Sequence, residues 1–130
     1  MTTHTRVITT VIAEGTSNAA GATTRGVVDV RGADMIKLHV RITNGASAPT
    51  IQAEGRIMFA DTDGATPATG ADGAAWKTEV SGITPGTVAS AVRNYVAYFP
   101  GGQTHLQVEI TNNTGQAVTC EATCIATTFS

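Results

Sequence analysis

Apolar and polar residues alternate one by one along three stretches of the chain, which are residues 36–43, 106–111 and 118–124. Because a β-strand points successive side chains to opposite faces, each stretch is predicted to bury a row of aliphatic side chains and to expose a row of polar ones. No stretch shows the period of about 3.6 residues that marks an amphipathic helix. The pattern therefore predicts half-buried antiparallel strands.

Turn-forming residues, above all Gly, Asn and Pro, divide the chain into eight predicted strands. These strands span residues 6–14, 26–31, 35–43, 50–60, 76–81, 87–99, 103–111 and 116–127. Residues 15–21 are predicted to close the first strand, and residues 112–115 to join the last two strands as a hairpin. Eight short strands in 130 residues predict an all-β fold, an antiparallel β-sandwich with jelly-roll topology.

The fourth predicted strand alternates between an inward row and an outward row. The inward row is predicted to hold Ile51, Ala53, Gly55, Ile57 and Phe59, and the outward row Glu54, Arg56 and Met58. The small residues at the centre of the inward row predict a bulge or a close approach by the facing sheet.

The length of 130 residues predicts one domain with one core. The predicted sandwich spans residues 1–130, with a short polar amino-terminal arm at residues 1–5 and a long surface loop at residues 61–75. The arm can add to the sheet edge of another subunit or fray at the terminus. The loop can reach a neighbouring subunit or form a solvated insertion.

Charged residues make up only 14% of the chain, and the net charge is −2. The eight scattered Lys and Arg residues do not build the cationic patch that nucleic acid requires, so we expect no nucleic-acid partner. No stretch approaches the ~20 apolar residues of a membrane span, and the first residues lack a secretion signal. We therefore expect no membrane partner and synthesis in the cytoplasm of the producing cell.

The two cysteines, Cys120 and Cys124, lie four residues apart on one face of a predicted strand. That spacing separates them by about 13 Å, which exceeds the roughly 7 Å limit between Cα atoms of a disulfide. Further ligands for a metal site of Cys-x3-Cys type are not evident. We predict two buried free thiols that act as small core residues.

Asp61, Asp63 and Asp72 imitate part of a calcium-binding loop, in which alternating carboxylates converge on one cation. However, Ala65 and Thr66 stand where such a loop requires a ligand and a turn glycine. The segment is therefore predicted to be a solvated loop without a metal.

Three histidines are candidate bases or metal ligands. His4 lies in the predicted arm, while His39 and His105 take outward positions on separate strands, so a histidine site requires those two strands to be neighbours. The chain also lacks a nucleophile motif and a phosphate-binding glycine loop. We predict that the protein is not an enzyme and has no catalytic residues, no cofactor and no metal site.

Four aromatic residues, Trp76, Tyr95, Tyr98 and Phe99, are candidates for a platform that stacks on sugar rings. Along an extended strand Tyr95 and Phe99 share one face and Tyr98 takes the other, so the cluster is predicted to be split. Two interpretations stay open. The residues form core and inter-subunit packing, or Trp76 or Tyr98 lines a carbohydrate-binding groove.

The overall make-up of the chain carries a resemblance to a known class. Threonine is the most abundant residue, lysine occurs only at Lys37 and Lys77, and the phrases Ile-Thr-Asn-Gly at residues 42–45 and Ile-Thr-Asn-Asn-Thr-Gly at residues 110–115 recur at strand ends. In these respects the chain resembles small β-sandwich virion proteins of tailed bacteriophages, and most nearly their head decoration, or cement, class.

This resemblance implies a structural protein on the capsid surface of the virion, made in the host cytoplasm. Such a protein attaches as a dimer or trimer to the major capsid protein lattice and stabilises the phage head. The rival within the virion class is a tail or head-tail connector protein, for which we expect hexameric rings. The rival from another class is a carbohydrate-binding module.

Overall fold

The computed structural model describes residues 3–61 and 75–130, and none of these residues is helical. In the described part of the chain no helix is long and apolar enough to cross a membrane. Eight strands run in the order β1 His4–Asn18, β2 Thr23–Asp29, β3 Met35–Thr43, β4 Glu54–Ala60, β5 Trp76–Ile83, β6 Val92–Pro100, β7 His105–Thr111 and β8 Val118–Phe129. Most of the predicted loop at residues 61–75, including Asp63 and Asp72, lies outside the described residues.

The strands form two four-stranded antiparallel sheets. Sheet I has the order β1-β8-β3-β6, and sheet II has the order β2-β7-β4-β5. Every pair of consecutive strands except β4 and β5 is divided between the two sheets, and this arrangement is a jelly roll. The predicted β-sandwich and its topology are confirmed.

The connection between β7 and β8 crosses from one sheet to the other, so the predicted hairpin at residues 112–115 is wrong. Asn112 directs the crossing from a fully buried position. Its Nδ2 donates to the carbonyl oxygens of Asn18 and Gln116, and its Oδ1 accepts from the amide and the hydroxyl of Thr114. These bonds turn the chain out of sheet II and into sheet I.

Strand β1 is longer than predicted at both ends, because its pairing with β8 continues past the expected turn. Gly15 adopts a positive φ of 75° inside the strand, and register shifts follow Thr10 and Ile12. At the other end, Thr3 exchanges backbone hydrogen bonds with Ser130. Residues 4 and 5 of the arm predicted at residues 1–5 are therefore part of β1, while residues 1 and 2 lie outside the described residues.

The core lies between the sheets and is built from the predicted inward rows. Its fully buried side chains include Ile36, Leu38, Val40 and Ile42 of β3 and Leu106, Val108 and Ile110 of β7. In β4, a Cβ added at Gly55 would lie 3.1 Å from Ile110 Cδ1 and 3.3 Å from Ile42 Cδ1, so the predicted close approach of the facing sheet is confirmed. Ile51, predicted to point inward, instead precedes β4 and is 61% exposed.

The outer face of sheet II is less exposed than the alternating pattern predicts. Gln107, Glu109 and Met58 point outward by strand parity, yet all three are buried. Gln107 Nε2 lies 3.7 Å from Met58 Sδ, and Met58 packs in a small outer cluster with Trp76. Strands β7 and β4 lie between neighbours on both sides, so side chains from adjacent strands cover this face.

Candidate interaction surface

The outer face of sheet I carries side chains from four strands in ordered rows, because residues opposite each other on neighbouring strands share a face. One row runs Ile8, Ile125, Lys37, Tyr98, and the next runs Arg6, Thr127, Met35, Pro100. Four apolar side chains from these rows, together with Phe129, form a surface that we call the apolar patch. The apolar patch consists of Ile8, Met35, Tyr98, Ile125 and Phe129.

Four of the five side chains of the apolar patch are exposed to solvent, and Ile125 is partly buried. Ile8 is 72% exposed and Tyr98 is 65% exposed, while Met35 and Phe129 are each more than one-third exposed. Isolated exposed apolar residues need no explanation, but a contiguous set on one face marks a contact surface.

A groove of about 420 Å³ is lined by four of the five residues of the apolar patch, while Ile8, which lies opposite the lining residue Ile125, is outside it. Its lining residues are His4, Arg6, Met35, Ile36, Lys37, Tyr98, Ile125, Thr127 and Phe129. The ionisable groups of this lining are His4, Arg6 and Lys37, and no carboxylate is among them. Lys37 Nζ lies 5.6 Å from the centre of the Tyr98 ring, within the range of a cation–π interaction. The groove is therefore apolar with a cationic border.

The opposite end of the same face is polar. Arg41 Nη1 lies 3.7 Å from Glu121 Oε1, and both side chains remain partly exposed. A smaller cavity of about 220 Å³ at this end is lined by Glu14, Arg41 and Glu121 among others. The outer face of sheet I thus has one apolar end with cationic groups and one polar end with both signs of charge. This difference between the two ends favours a single orientation of a bound partner.

The aromatic residues divide as predicted. Tyr95 and Phe99 pack against the core, and the Phe99 ring meets the Phe59 ring at 5.0 Å between centroids. Tyr98 takes the other face and enters the groove. Trp76 is only 5% exposed on the outer face of sheet II, so it cannot present its ring to a sugar.

The histidines stay apart. His39 lies on sheet I and His105 on sheet II, in strands that are not neighbours. His4 packs edge-on against Phe129 with 4.8 Å between ring centroids. Among the described residues, no group of three His, Cys, Asp or Glu side chains is placed to hold a metal ion.

Cys120 and Cys124 lie in the inward row of β8, so their predicted burial is confirmed. Burial raises the pKa of both thiols, that of Cys124 to about 11. Since the thiolate is the reactive form, neither cysteine is arranged as a nucleophile at neutral pH.

Sequence reasoning missed the apolar patch, although one signal was present. Outward positions along β8 are polar at Thr119, Glu121 and Thr123, and Ile125 then breaks this series. The contributions of Ile8 and Met35 depend on strand pairing, because these residues join Ile125 only across three strands.

No protein-family model matches the chain, and no curated protein sequence matches it. Solved structures do share its fold. A chain of the infectious bursal disease virus Gx strain aligns over 96% of this chain and 32% of its own length, with a TM-score of 0.59 and 10% identity. The VP2 subviral particle of infectious bursal disease virus gives a TM-score of 0.59 and 11% identity, over 96% of this chain and 33% of the viral one.

Dimeric latent PorU from Porphyromonas gingivalis aligns with a TM-score of 0.53 and 14% identity, over 95% of this chain and 12% of PorU. The chain therefore spans about a third of the viral chains and a smaller part of PorU. At these identities the similarity shows a common fold, and this chain shares its jelly-roll architecture with part of a virus particle protein.

Proposed function

We propose that the protein is a structural virion component that decorates a phage head, and that the apolar patch is the surface that binds the major capsid protein lattice. The observation that carries this proposal is the open apolar groove with its cationic border on the outer face of sheet I. Such a surface fits a protein partner with an apolar centre and acidic side chains around it.

Three further features support a structural role. The jelly-roll fold recurs in the viral chains described above. The chain carries few charges, so crowded copies on a lattice repel each other little. Its many threonines supply hydroxyls that form hydrogen bonds across wet interfaces. The proposed work is mechanical: each copy adds contact area across a joint between capsid subunits, as a dimer or trimer with several attachment points.

A carbohydrate-binding role receives less support from the groove. Sugar recognition combines an aromatic face with side chains that hold the hydroxyls, typically Asp or Asn. Tyr98 supplies an aromatic ring, but Lys37 lies over it, and the lining contains no Asp, Asn, Glu or Gln. The groove is therefore better matched to a protein surface.

The test is co-sedimentation of the purified protein with heads of the source phage that lack it. Wild type is expected to pellet with the heads at saturating, whole-number stoichiometry per capsomer. In an Ile8→Ser variant the patch loses the burial of one isoleucine, worth about 2 kcal/mol, so binding weakens by at least about tenfold. Ile51→Ser is the matched control, because Ile51 is 61% exposed and lies outside the apolar patch, in the segment before β4.

The proposal fails if wild type ignores the heads, or if Ile8→Ser and Ile51→Ser bind alike. Pelleting with tails instead of heads, together with a hexamer in solution, would favour the tail or connector role. Binding to a glycan array that Tyr98→Ala abolishes would favour the carbohydrate-binding role.

A further inference from the structure

We propose that the free edge of β6 pairs with β6 of a second copy, so that sheet I continues across a two-fold axis into the partner. This inference specifies the interface of the dimer in the proposed function. Only the role of that dimer on a phage head rests on the proposed function. The backbone hydrogen-bonding groups at the free edge of β6, its regular register with β3 and its side chains all favour this pairing.

In β6, the backbone N–H and C=O groups of alternate residues point away from β3 and into solvent. In the described chain β6 pairs only with β3, in a register that runs from Met35 opposite Pro100 to Thr43 opposite Val92 without a shift. The amide of Asn44 donates to the carbonyl oxygen of Ala91, so odd-numbered residues of β6 direct their backbone groups to β3. The even-numbered residues from Val92 to Tyr98 therefore direct their backbone N–H and C=O groups to the free edge of the sheet.

The other sheet edges are protected, as strand edges usually are. Strands β1 and β2 close against each other, because a Cβ added at Gly26 would lie only 2.1 Å from the carbonyl oxygen of Val11. Strand β5 has register shifts against β4 and carries Lys77 and Glu79. Strand β6 has neither device: it is nine residues long, regular, and charged only at Arg93.

The side chains of β6 are suited to a second copy of the same strand. Val92, Val96 and Tyr98 are exposed on the outer face of sheet I. In an antiparallel pair centred on Tyr95, Val92 lies opposite Tyr98 and Asn94 opposite Val96, so all the outward backbone groups between Val92 and Tyr98 find partners.

In this register the charges are also compatible. Arg93 lies opposite Ala97 of the second copy, so no like charges meet across the axis. Two-fold pairing of one surface with itself is the commonest form of assembly for soluble proteins. The paired sheet leaves both apolar patches on its outer face and gives a dimer two points of attachment, which increases its avidity.

Light scattering and hydrogen exchange test this interface without capsids. We expect a mass of twice 13.3 kDa for wild type. Slow exchange is expected for the amides of Asn94, Val96 and Tyr98, which point away from β3, with fast exchange on dilution to the monomer. Val96→Lys places a charge on the edge and is expected to raise the dimer dissociation constant by at least about tenfold. Val88→Lys is the matched control, because Val88 is 67% exposed and lies outside β6.

A wild-type monomer or trimer at high concentration, or fast exchange of those three amides in the wild-type dimer, would overturn the inference. So would a Val96→Lys variant that folds and dimerises like wild type. If Val96→Lys does not fold, the exchange of the wild-type amides decides. Ile8→Ser separates the two proposals, since it is expected to remain dimeric while it loses attachment to heads.

Discussion

At the scale of single residues, position in the sheet decides how strongly a charged side chain contributes to stability. Glu109 lies on the central strand β7, and its carboxylate accepts from Arg25 Nε at 2.8 Å and from Arg56 Nε at 2.7 Å. It therefore links β2, β7 and β4 on a largely buried face. Glu121 pairs with Arg41 at 3.7 Å on a more exposed face. Solvent screens the second pair much more than the first.

Replacing each of these two glutamates by alanine should lower the free energy of unfolding by different amounts. Glu109→Ala leaves two guanidinium groups near each other without the carboxylate between them, so we expect a loss of about 3 kcal/mol in the free energy of unfolding. Glu121→Ala should cost less than about 1 kcal/mol. Urea denaturation monitored by circular dichroism measures both values. Equal losses would show that the carboxylate of Glu109 is not the link between the three strands.

At the scale of strands, close contact between the edges of the two sheets shapes the sandwich. Val11 of β1 and Gly26 of β2 meet where sheet I and sheet II approach, and the space at Gly26 is too small for any side chain. The register shifts of β1 against β8 lie between Thr10 and Thr16, in the part of the strand that contains Val11. Bulges of this kind increase local twist and turn an edge strand away from further pairing.

A methyl group at residue 26 should therefore force the two edges apart. We expect Gly26→Ala to lower the free energy of unfolding by about 2 kcal/mol through overpacking. Gly115→Ala is the control, because nothing lies within 4 Å of a Cβ added there and its φ is not positive. Thermal unfolding of the two variants makes the comparison. A Gly26→Ala variant as stable as Gly115→Ala would mean that the sheets approach less closely in solution.

At the scale of the whole molecule, the jelly roll joins parts of the chain that are far apart in sequence. Strand β1 pairs with β8, and β2 pairs with β7. Strands β4 and β5 are the sole consecutive pair that shares a sheet in the described topology. Most sheet contacts therefore require long loops to close before any hydrogen bond forms, which costs chain entropy early in folding.

This topology predicts slow folding. We expect refolding from urea in the millisecond-to-second range, as for other all-β sandwiches. Trp76, which is 5% exposed and is the sole tryptophan, reports the change by stopped-flow fluorescence. Refolding in microseconds would contradict a fold dominated by long-range pairs.

Strand content and inward rows could be read from the sequence wherever a strand has one buried face. The alternation over β3 and β8 correctly placed Ile36 and Cys124 in the core, because strand parity is a local property. The same reasoning failed for Gln107 and Glu109, which occupy outward-facing positions of β7 and yet are buried. Their burial depends on arginine and methionine side chains from neighbouring strands, and a single strand's pattern carries no information about its neighbours.

The all-β class, the number of strands and the split of the aromatic residues followed from the sequence alone, because side-chain alternation and turn residues act over a few positions. Pairing between strands was decided only in the tertiary structure. It placed β7 and β8 in different sheets, drew residue 3 into a pair with Ser130, and gathered Ile8, Met35 and Tyr98 around Ile125. Each of these outcomes depends on which distant strands become neighbours. The pairing is determined by the arrangement that buries the apolar rows of all eight strands in one core, and no single strand's pattern contains that information.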